Sequence, residues 1–388
     1  MDYTADIPSP DLFRKWCAIT AISGALERRV WVETARRKLY PNLYTLLVAS
    51  PGIGKTEAIS YVEELWRAGR KLYVAPNNLT KAALLDALER SDRKIIVPGG
   101  IMEYHTLVIA TDEFGVFAPA HDLEFFSVLS RIYDCPRVHS EERRHAKKEL
   151  EIIHPQLTIL SGVQPGFMAS MLPDEAWQQG FCSRLIMVYA GLGVKVSLFK
   201  RNEPRKDLFK KLNSGMNSMQ EVMGQLQWEP SAEAIIEKWH MEGMKPVPMH
   251  SKLQNYNQRR ILHVLKLTMI ACISRGEGLT ISLEDVNRAR DWLLEVEQVM
   301  PDVFREMSQK SDTHILQEMH YTMWKNWAAN GQKPISEARL LKFLSERVPG
   351  EKTFRLLELA ERTDMFARVA GSSPYSYIPK PLASGGLE

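Results

Sequence analysis

Cysteine is scarce. Four residues, at 17, 135, 182 and 272, serve a chain of 388, with neither paired spacing nor a zinc pattern. A disulfide-stapled scaffold and a structural zinc module are thereby excluded, and a reducing compartment is expected. Long apolar runs are missing too: the longest, 261–273, carries His263 and Lys266 and is too short to span a bilayer. The first residues, Met1-Asp-Tyr-Thr-Ala-Asp, are acidic and lack the basic and apolar regions of a secretion signal, so a soluble, cytoplasmic protein is expected. Neither sign of charge prevails. Fifty Lys and Arg against 47 Asp and Glu leave +3, so any nucleic-acid surface has to be a local patch. No internal repeat or low-complexity segment is present. What remains is a globular composition, 45% hydrophobic and 25% charged, at a length that predicts two or three domains.

One segment breaks this uniformity. Directly after the apolar run 43–48, residues 49–56 read Ala-Ser-Pro-Gly-Ile-Gly-Lys-Thr. A strand that runs into such a loop and then into a helix is a phosphate-binding P-loop pattern. Beside Pro51, which has no N–H of its own, Gly52 and Gly54 let the backbone N–H groups of residues 52–56, Ile53 among them, turn toward phosphate oxygens, and the helix adds its positive N-terminal end. Lys55 would reach the β- and γ-phosphates of ATP, and the Thr56 hydroxyl would ligate Mg²⁺. Ala49 takes the place of the first glycine. The competing reading is an idle glycine-rich turn.

Around the loop, short apolar runs alternate with amphipathic stretches. Strands are expected at 43–48, 72–75, 107–111, 157–160 and 185–189, and helices at 10–30, 55–68, 80–89 and 122–133. That order predicts an α/β fold, a parallel sheet with helices on both faces. The expected organisation is an N-terminal helical segment (1–40), a P-loop ATPase core (41–195), a basic linker (196–230), a helical lid (231–305) and a winged-helix-like domain (310–388). Ser282-Leu-Glu-Asp marks a helix start inside the lid.

Hydrolysis needs more than a loop. The strand 107–111 ends in Asp112-Glu113, a Walker B pattern: Asp112 would hold Mg²⁺ and Glu113 would polarise the attacking water, unless the pair is merely an acidic turn. Gln164, at the tip of the next strand, can report the γ-phosphate or sit as a loop glutamine. Arg184, just before the strand at 185, suits a finger reaching a neighbour's nucleotide, or a structural arginine paired with a carboxylate. Arg259 or Arg260 can close over the nucleotide as a second sensor, or pair with acids at a helix start. His263 and Lys266 read as packing or surface residues.

The order 49–56, Asp112-Glu113-Phe114, Gly162-Val-Gln-Pro165, Ser183-Arg184-Leu185 resembles the AAA+ ATPases, in the branch of minichromosome-maintenance and superfamily 3 helicases. Tyr40-Pro-Asn-Leu-Tyr44 and Gly180-Phe-Cys-Ser-Arg184 are similar to a phage and prophage family of primase-associated P-loop helicases. The resemblance covers roughly 10–300. It departs at Gln164, where Asn is usual, and at Leu185, where an aromatic is usual. The RecA-like hexameric helicases, which also place a glutamine there, therefore remain the alternative core. The resemblance implies an ATP-driven homo-oligomeric ring, a hexamer with single-stranded DNA in its central channel and no membrane; no primase constellation is visible in the sequence, so any priming is expected from a partner chain such as a primase. It also implies that the segment 137–153, two extended arms around a basic tip (Arg143, Arg144, Lys147, Lys148), is a channel hairpin touching DNA phosphates; on composition alone it is equally a solvated loop. The tail, with Arg355, Arg362, Arg368 and Lys380, would meet DNA or dock protein. The expected function is an ATP-dependent DNA helicase or translocase of phage or prophage replication, with an ATP-switched helicase loader as the alternative.

Overall fold

A computed structural model describes residues 1–69, 72–76, 79–97, 100–118, 122–142, 149–172, 177, 180–197, 199, 205–348, 350–371 and 374–381. The chain divides into two units, Met1–Phe304 and Arg305–Glu388.

Besides the short strands β1 (Val30–Glu33), β2 (Lys38–Leu39), β10 (Gly224–Gln225), β11 (Gln227–Trp228) and β12 (Thr280–Ile281), the first unit is built on a five-stranded sheet. Its strands are β3 (Tyr44–Val48), β4 (Asp92–Val97), β5 (Gly100–Thr111), β8 (Pro155–Val163) and β9 (Leu185–Tyr189), in the order β4-β5-β8-β3-β9. The pairs β5–β8, β8–β3 and β3–β9 are parallel, and β4 turns back antiparallel on β5. The strand expected at 72–75 is a single parallel bridge, Val74 to Val108, beside the second half of β5. Every residue of β3 and β8 is buried. Apolar, β-branched runs of this kind need cover on both faces, and successive side chains of β3 show what supplies it. Tyr44 donates its hydroxyl proton to the Leu129 carbonyl (2.9 Å) on α5 (Leu123–Tyr133), while Thr45 shares a 2.8 Å hydrogen bond with Thr20 on α1 (Asp11–Leu26). Neighbours on a strand point to opposite faces, so α1 and α5 lie on opposite sides of the sheet. Helix α2 (Lys55–Ala68) packs beside α1, and Trp66 donates its indole proton to the Ala21 carbonyl at 3.0 Å.

Among the smaller elements, α3 (Lys81–Glu89) is capped by Thr80, α4 (Phe114–Phe117) follows β5, and α6 (Pro165–Met171) follows β8. The two extended arms expected around 137–153 are an antiparallel hairpin, β6 (Val138–Glu142) and β7 (Glu149–Ile153). The stretch expected as charged helix and linker holds α7 (Lys206–Glu221). The helical segment comprises α8 (Pro230–Met241), α9 (Gln254–Arg275) and the start of α10 (Leu283–Ala329), which runs on through the division at 304. The helix start read at Ser282 is a reciprocal cap: Ser282 N–H donates to Asp285 Oδ2 (2.9 Å) and Asp285 N–H to Ser282 Oγ (3.4 Å). Among the described residues no helix is long and apolar enough to cross a membrane.

The second unit contains the remainder of α10, α11 (Glu337–Ser345) and α12 (Gly350–Arg362), with a three-stranded sheet of β13 (Ile335–Ser336), β15 (Ser376–Pro379) and β14 (Phe366–Arg368) in that order. Its core gathers Met319, Met323, Leu340, Leu344, Leu356, Phe366 and Tyr377.

The α1–α2 crossing is close at Gly24, where a Cβ would stand 2.8 Å from the Trp66 ring and 2.9 Å from Val108 Cγ1. Gly24→Ala is expected to lower the unfolding free energy by about 1–3 kcal/mol through overpacking. An unchanged urea midpoint would show that the helices can part there without cost.

Candidate functional site

The parallel register brings the expected nucleotide residues to one edge of the sheet. Val48 pairs with Val163, and Ser161 with Thr111. The chain therefore leaves β3, β8 and β5 side by side, into Ala49, Gln164 and Asp112 respectively. In open α/β sheets the carboxyl ends of the strands are where ligands bind.

The loop 49–54 makes the turn from β3 into α2 with Gly52 at φ +79° and Gly54 at φ +83°, a left-handed conformation that glycine adopts without strain. Space confirms the requirement at Gly54 only, where a Cβ would stand 2.0 Å from the Pro8 carbonyl oxygen; around Gly52 nothing lies within 4 Å. Lys55 is buried, and its ammonium donates to the carbonyls of Ala49 (2.7 Å) and Ser50 (3.0 Å). The amine is thereby held over the loop it would serve. Thr56 is exposed at the first turn of α2. Across the cleft, Gln164 donates to Glu113 Oε1 at 3.2 Å, so the expected sensor and the expected water-polarising carboxylate are direct partners. The residues that follow them also touch: a Cβ on Gly115 would stand 1.9 Å from the Phe167 ring. Pro8, Pro51, Gly52, Gly54, Lys55, Thr56, Glu57, Glu113 and Gln164 enclose a cleft of about 320 Å³. Two of these, Pro8 and Glu57, were not anticipated. Nothing in the sequence of the first ten residues signals that they fold against the loop.

Asp112 is raised above the ordinary carboxylate range, by partial burial first and then by the charges of Glu63 and Glu113. Such crowding is what a divalent cation would relieve. Among the described residues no group of three or more His, Cys, Asp or Glu could hold a metal ion. Thr56 and Asp112 would thus be partial ligands, suited to an ion that keeps waters and phosphate oxygens in its shell.

Two expected residues are elsewhere. Arg184 precedes β9, whose Leu185 pairs with Tyr44, so it sits at the opposite end of the sheet from Ala49. Its guanidinium is buried, 8% exposed, donating to Asp134 Oδ2 (2.5 Å) and to the Gly180 carbonyl (2.7 Å). Of the two readings open for Arg184, the structure has the carboxylate-paired one, and no projecting finger. Arg259 reaches the other oxygen of the same carboxylate at 3.3 Å. Burial alone would raise Asp134, but the Arg184 hydrogen bond and the charges of Arg184, Arg259 and Lys266 outweigh it and hold the group below the usual carboxylate range.

Arg260 is likewise corrected. It is 1% exposed and bound to Glu297 through Nε (2.8 Å) and Nη2 (2.6 Å), and to the Met244 and Pro246 carbonyls. Tyr256 donates its hydroxyl proton to the same glutamate at 2.9 Å. The arginine is a strut within the helical segment, with four of its five N–H donors taken by Glu297 and the two carbonyls. The expected DNA contacts Arg143, Arg144, Lys147 and Lys148 lie outside the described residues.

His263 and Lys266, read as packing or surface residues, are both buried. His263 Nε2 lies 2.9 Å from the Ser183 carbonyl and Nδ1 3.3 Å from the Tyr133 hydroxyl, which fits a neutral ring donating at Nε2 and accepting at Nδ1.

No family model matches the chain, and no curated protein matches it.

Two measurements probe these buried networks. Glu297→Gln is expected to cost about 3–5 kcal/mol in denaturant unfolding, because it strands the Arg260 charge. An Arg260→Met, Glu297→Leu double variant should recover most of that loss, and equal damage in both would refute the stranded-charge account. His263 is lowered to about 4, by burial first, against an ordinary value of 6.5. Its neutral form is the one the fold accepts, so this contribution is complete above pH 6.5 and fades as pH falls toward 4. The full difference is on the order of 3 kcal/mol. In His263→Asn the slope of stability against pH between those limits should flatten; an unaltered slope would assign it to other groups.

Proposed function

We propose that this chain is a P-loop ATPase with an AAA+-like core that couples ATP hydrolysis to work on DNA, as an oligomeric helicase or translocase of phage or prophage replication. The observation that carries the reading is the convergence of Lys55, Glu113 and Gln164 on one cleft at the ends of three adjacent parallel strands. In this reading the amides of the Pro51–Thr56 loop and the start of α2 cradle the phosphates of ATP. Lys55 gives up its loop carbonyls for the β- and γ-phosphates. Thr56 and Asp112 would hold Mg²⁺, which would supply charge neutralisation at the phosphates. Glu113 takes the proton of the attacking water, and Gln164 fixes the direction of that carboxylate.

The step from ATPase to DNA motor rests on the resemblance of the motif order to ring helicases. Ring assembly, a hexamer and cooperation with a primase belong to the same step. The second unit supports it only in outline: helices followed by a two-armed sheet fit a winged helix, a module that meets either DNA or protein. A second reading, an ATP-switched loader that moves no DNA itself, is favoured by the burial of Arg184 and Arg260. Each would otherwise be a group that couples hydrolysis to a neighbour or to the lid.

Three preparations separate these readings. Lys55→Ala is expected to abolish ATP binding and turnover, while Glu113→Gln should bind ATP normally and hydrolyse it on the order of 10²–10⁴ times more slowly. ATPase activity that persists undiminished in Lys55→Ala would sink the assignment. Wild-type displacement of a short duplex supports the motor; active ATPase without displacement, joined to stimulation of another helicase, supports the loader.

A further inference from the structure

The edge of the sheet away from the Ala49–Thr56 loop carries a second cleft, of about 590 Å³, lined by Arg28, Arg37, Lys38, Tyr40, Arg137 and His154 together with Asp134. We propose that this cleft binds the phosphate backbone of a nucleic-acid strand, through the guanidiniums of Arg37 and Arg137.

Its charges divide by what already holds them. Arg28 is buried, donates to the Cys135, Pro136 and Pro155 carbonyls and stacks on Tyr40 at 4.1 Å, so it forms the floor. Lys38 is shared with Glu33 (3.1 Å) and the Trp31 ring. Asp134, the one carboxylate of the lining, is already paired with both Arg184 and Arg259. Arg37 and Arg137 are exposed on the rim, and neither forms an ion pair with a described residue. The result is a concave surface with uncompensated positive charge, the arrangement that concentrates a field on an incoming anion. Lys266, at the adjoining recess, is brought down to about 8 by burial, against the opposing pull of Cys135 and Asp134 and with smaller additions from Arg37 and Arg184.

A strand suits the cleft better than a free nucleotide because of where it lies. Arg137 immediately precedes β6 and His154 immediately follows β7, so the cleft opens at the foot of the β6–β7 hairpin. Rim guanidiniums supply sequence-independent contacts to phosphates. The inference rests on the reading of the chain as an ATPase that works on DNA, and it adds a contact surface that the motif order does not contain.

The test is anisotropy of a labelled oligothymidylate titrated with the full chain at several salt concentrations, beside ATPase assays. Arg37→Gln with Arg137→Gln is expected to weaken binding about tenfold or more and to flatten the log–log salt slope by about 1.4, at roughly 0.7 per lost phosphate contact on a single strand. The ATPase rate without DNA should be unchanged. Arg37→Lys with Arg137→Lys should keep the wild-type slope, since charge is what acts. Arg37→Glu alone carries the same expectation of weakened binding should the double glutamine variant fold poorly. Wild-type binding with no change in the variants overturns the cleft and leaves the DNA-ATPase reading standing. A wild-type chain that hydrolyses ATP yet binds no oligonucleotide at any salt overturns that reading and the cleft with it. Loss of ATPase with DNA binding intact would also overturn the proposal, and would assign the cleft to nucleotide carried by a second copy.

Discussion

The hydrogen-bonded register between β5, β8 and β3 is the constraint on which the rest of the first unit depends. Parallel strands in a shared sheet must end at the same edge, and the side chains just past those ends become neighbours whatever their separation in sequence. Lys55, Glu113 and Gln164 are more than a hundred positions apart at the extremes, yet a slip of one residue in either pairing would exchange the side chains packed against one face of the sheet with those packed against the other. Burial of every residue of β3 and β8 penalises that slip heavily. The geometry of the cleft is thus secured by hydrophobic packing some distance from it.

Charge is handled differently at the two edges. At the loop edge carboxylates crowd: burial first, and then the charges of Glu63 and Glu113, raise Asp112. At the far edge, cations crowd around a single carboxylate, with Arg184 and Arg259 on Asp134 and Lys266 close by. The sheet therefore separates an edge that would welcome a metal-bound phosphate chain from one that would welcome a bare anion. A net charge of +3 conceals this division.

Much of this arrangement was legible in the sequence. The apolar runs at 43–48, 157–160 and 185–189 are long enough and bounded sharply enough to be strands, and the Ser282 cap marked a helix start that the structure contains. Lys55, Glu113 and Gln164 were singled out because ATP hydrolysis would demand those residue types at strand ends, and the structure brings all three to one cleft. Arg184 and Arg260 show where such reasoning stops. An arginine's role depends on which carboxylate it meets, and Asp134 and Glu297 are separated from their partners by 50 and 37 positions with no local pattern to announce them. The fold of Pro8 against Gly54 was equally silent, since a backbone carbonyl filling the space beside a glycine leaves no trace in side-chain identity.

The contact between Gly115 and the Phe167 ring has a mechanical meaning. It meshes the segment after Glu113 with the segment after Gln164, just where each leaves the sheet. Glu113 and Gln164 are therefore tied twice, by the hydrogen bond between them and by this contact two and three residues further on, and a side chain added at position 115 would have to displace the ring.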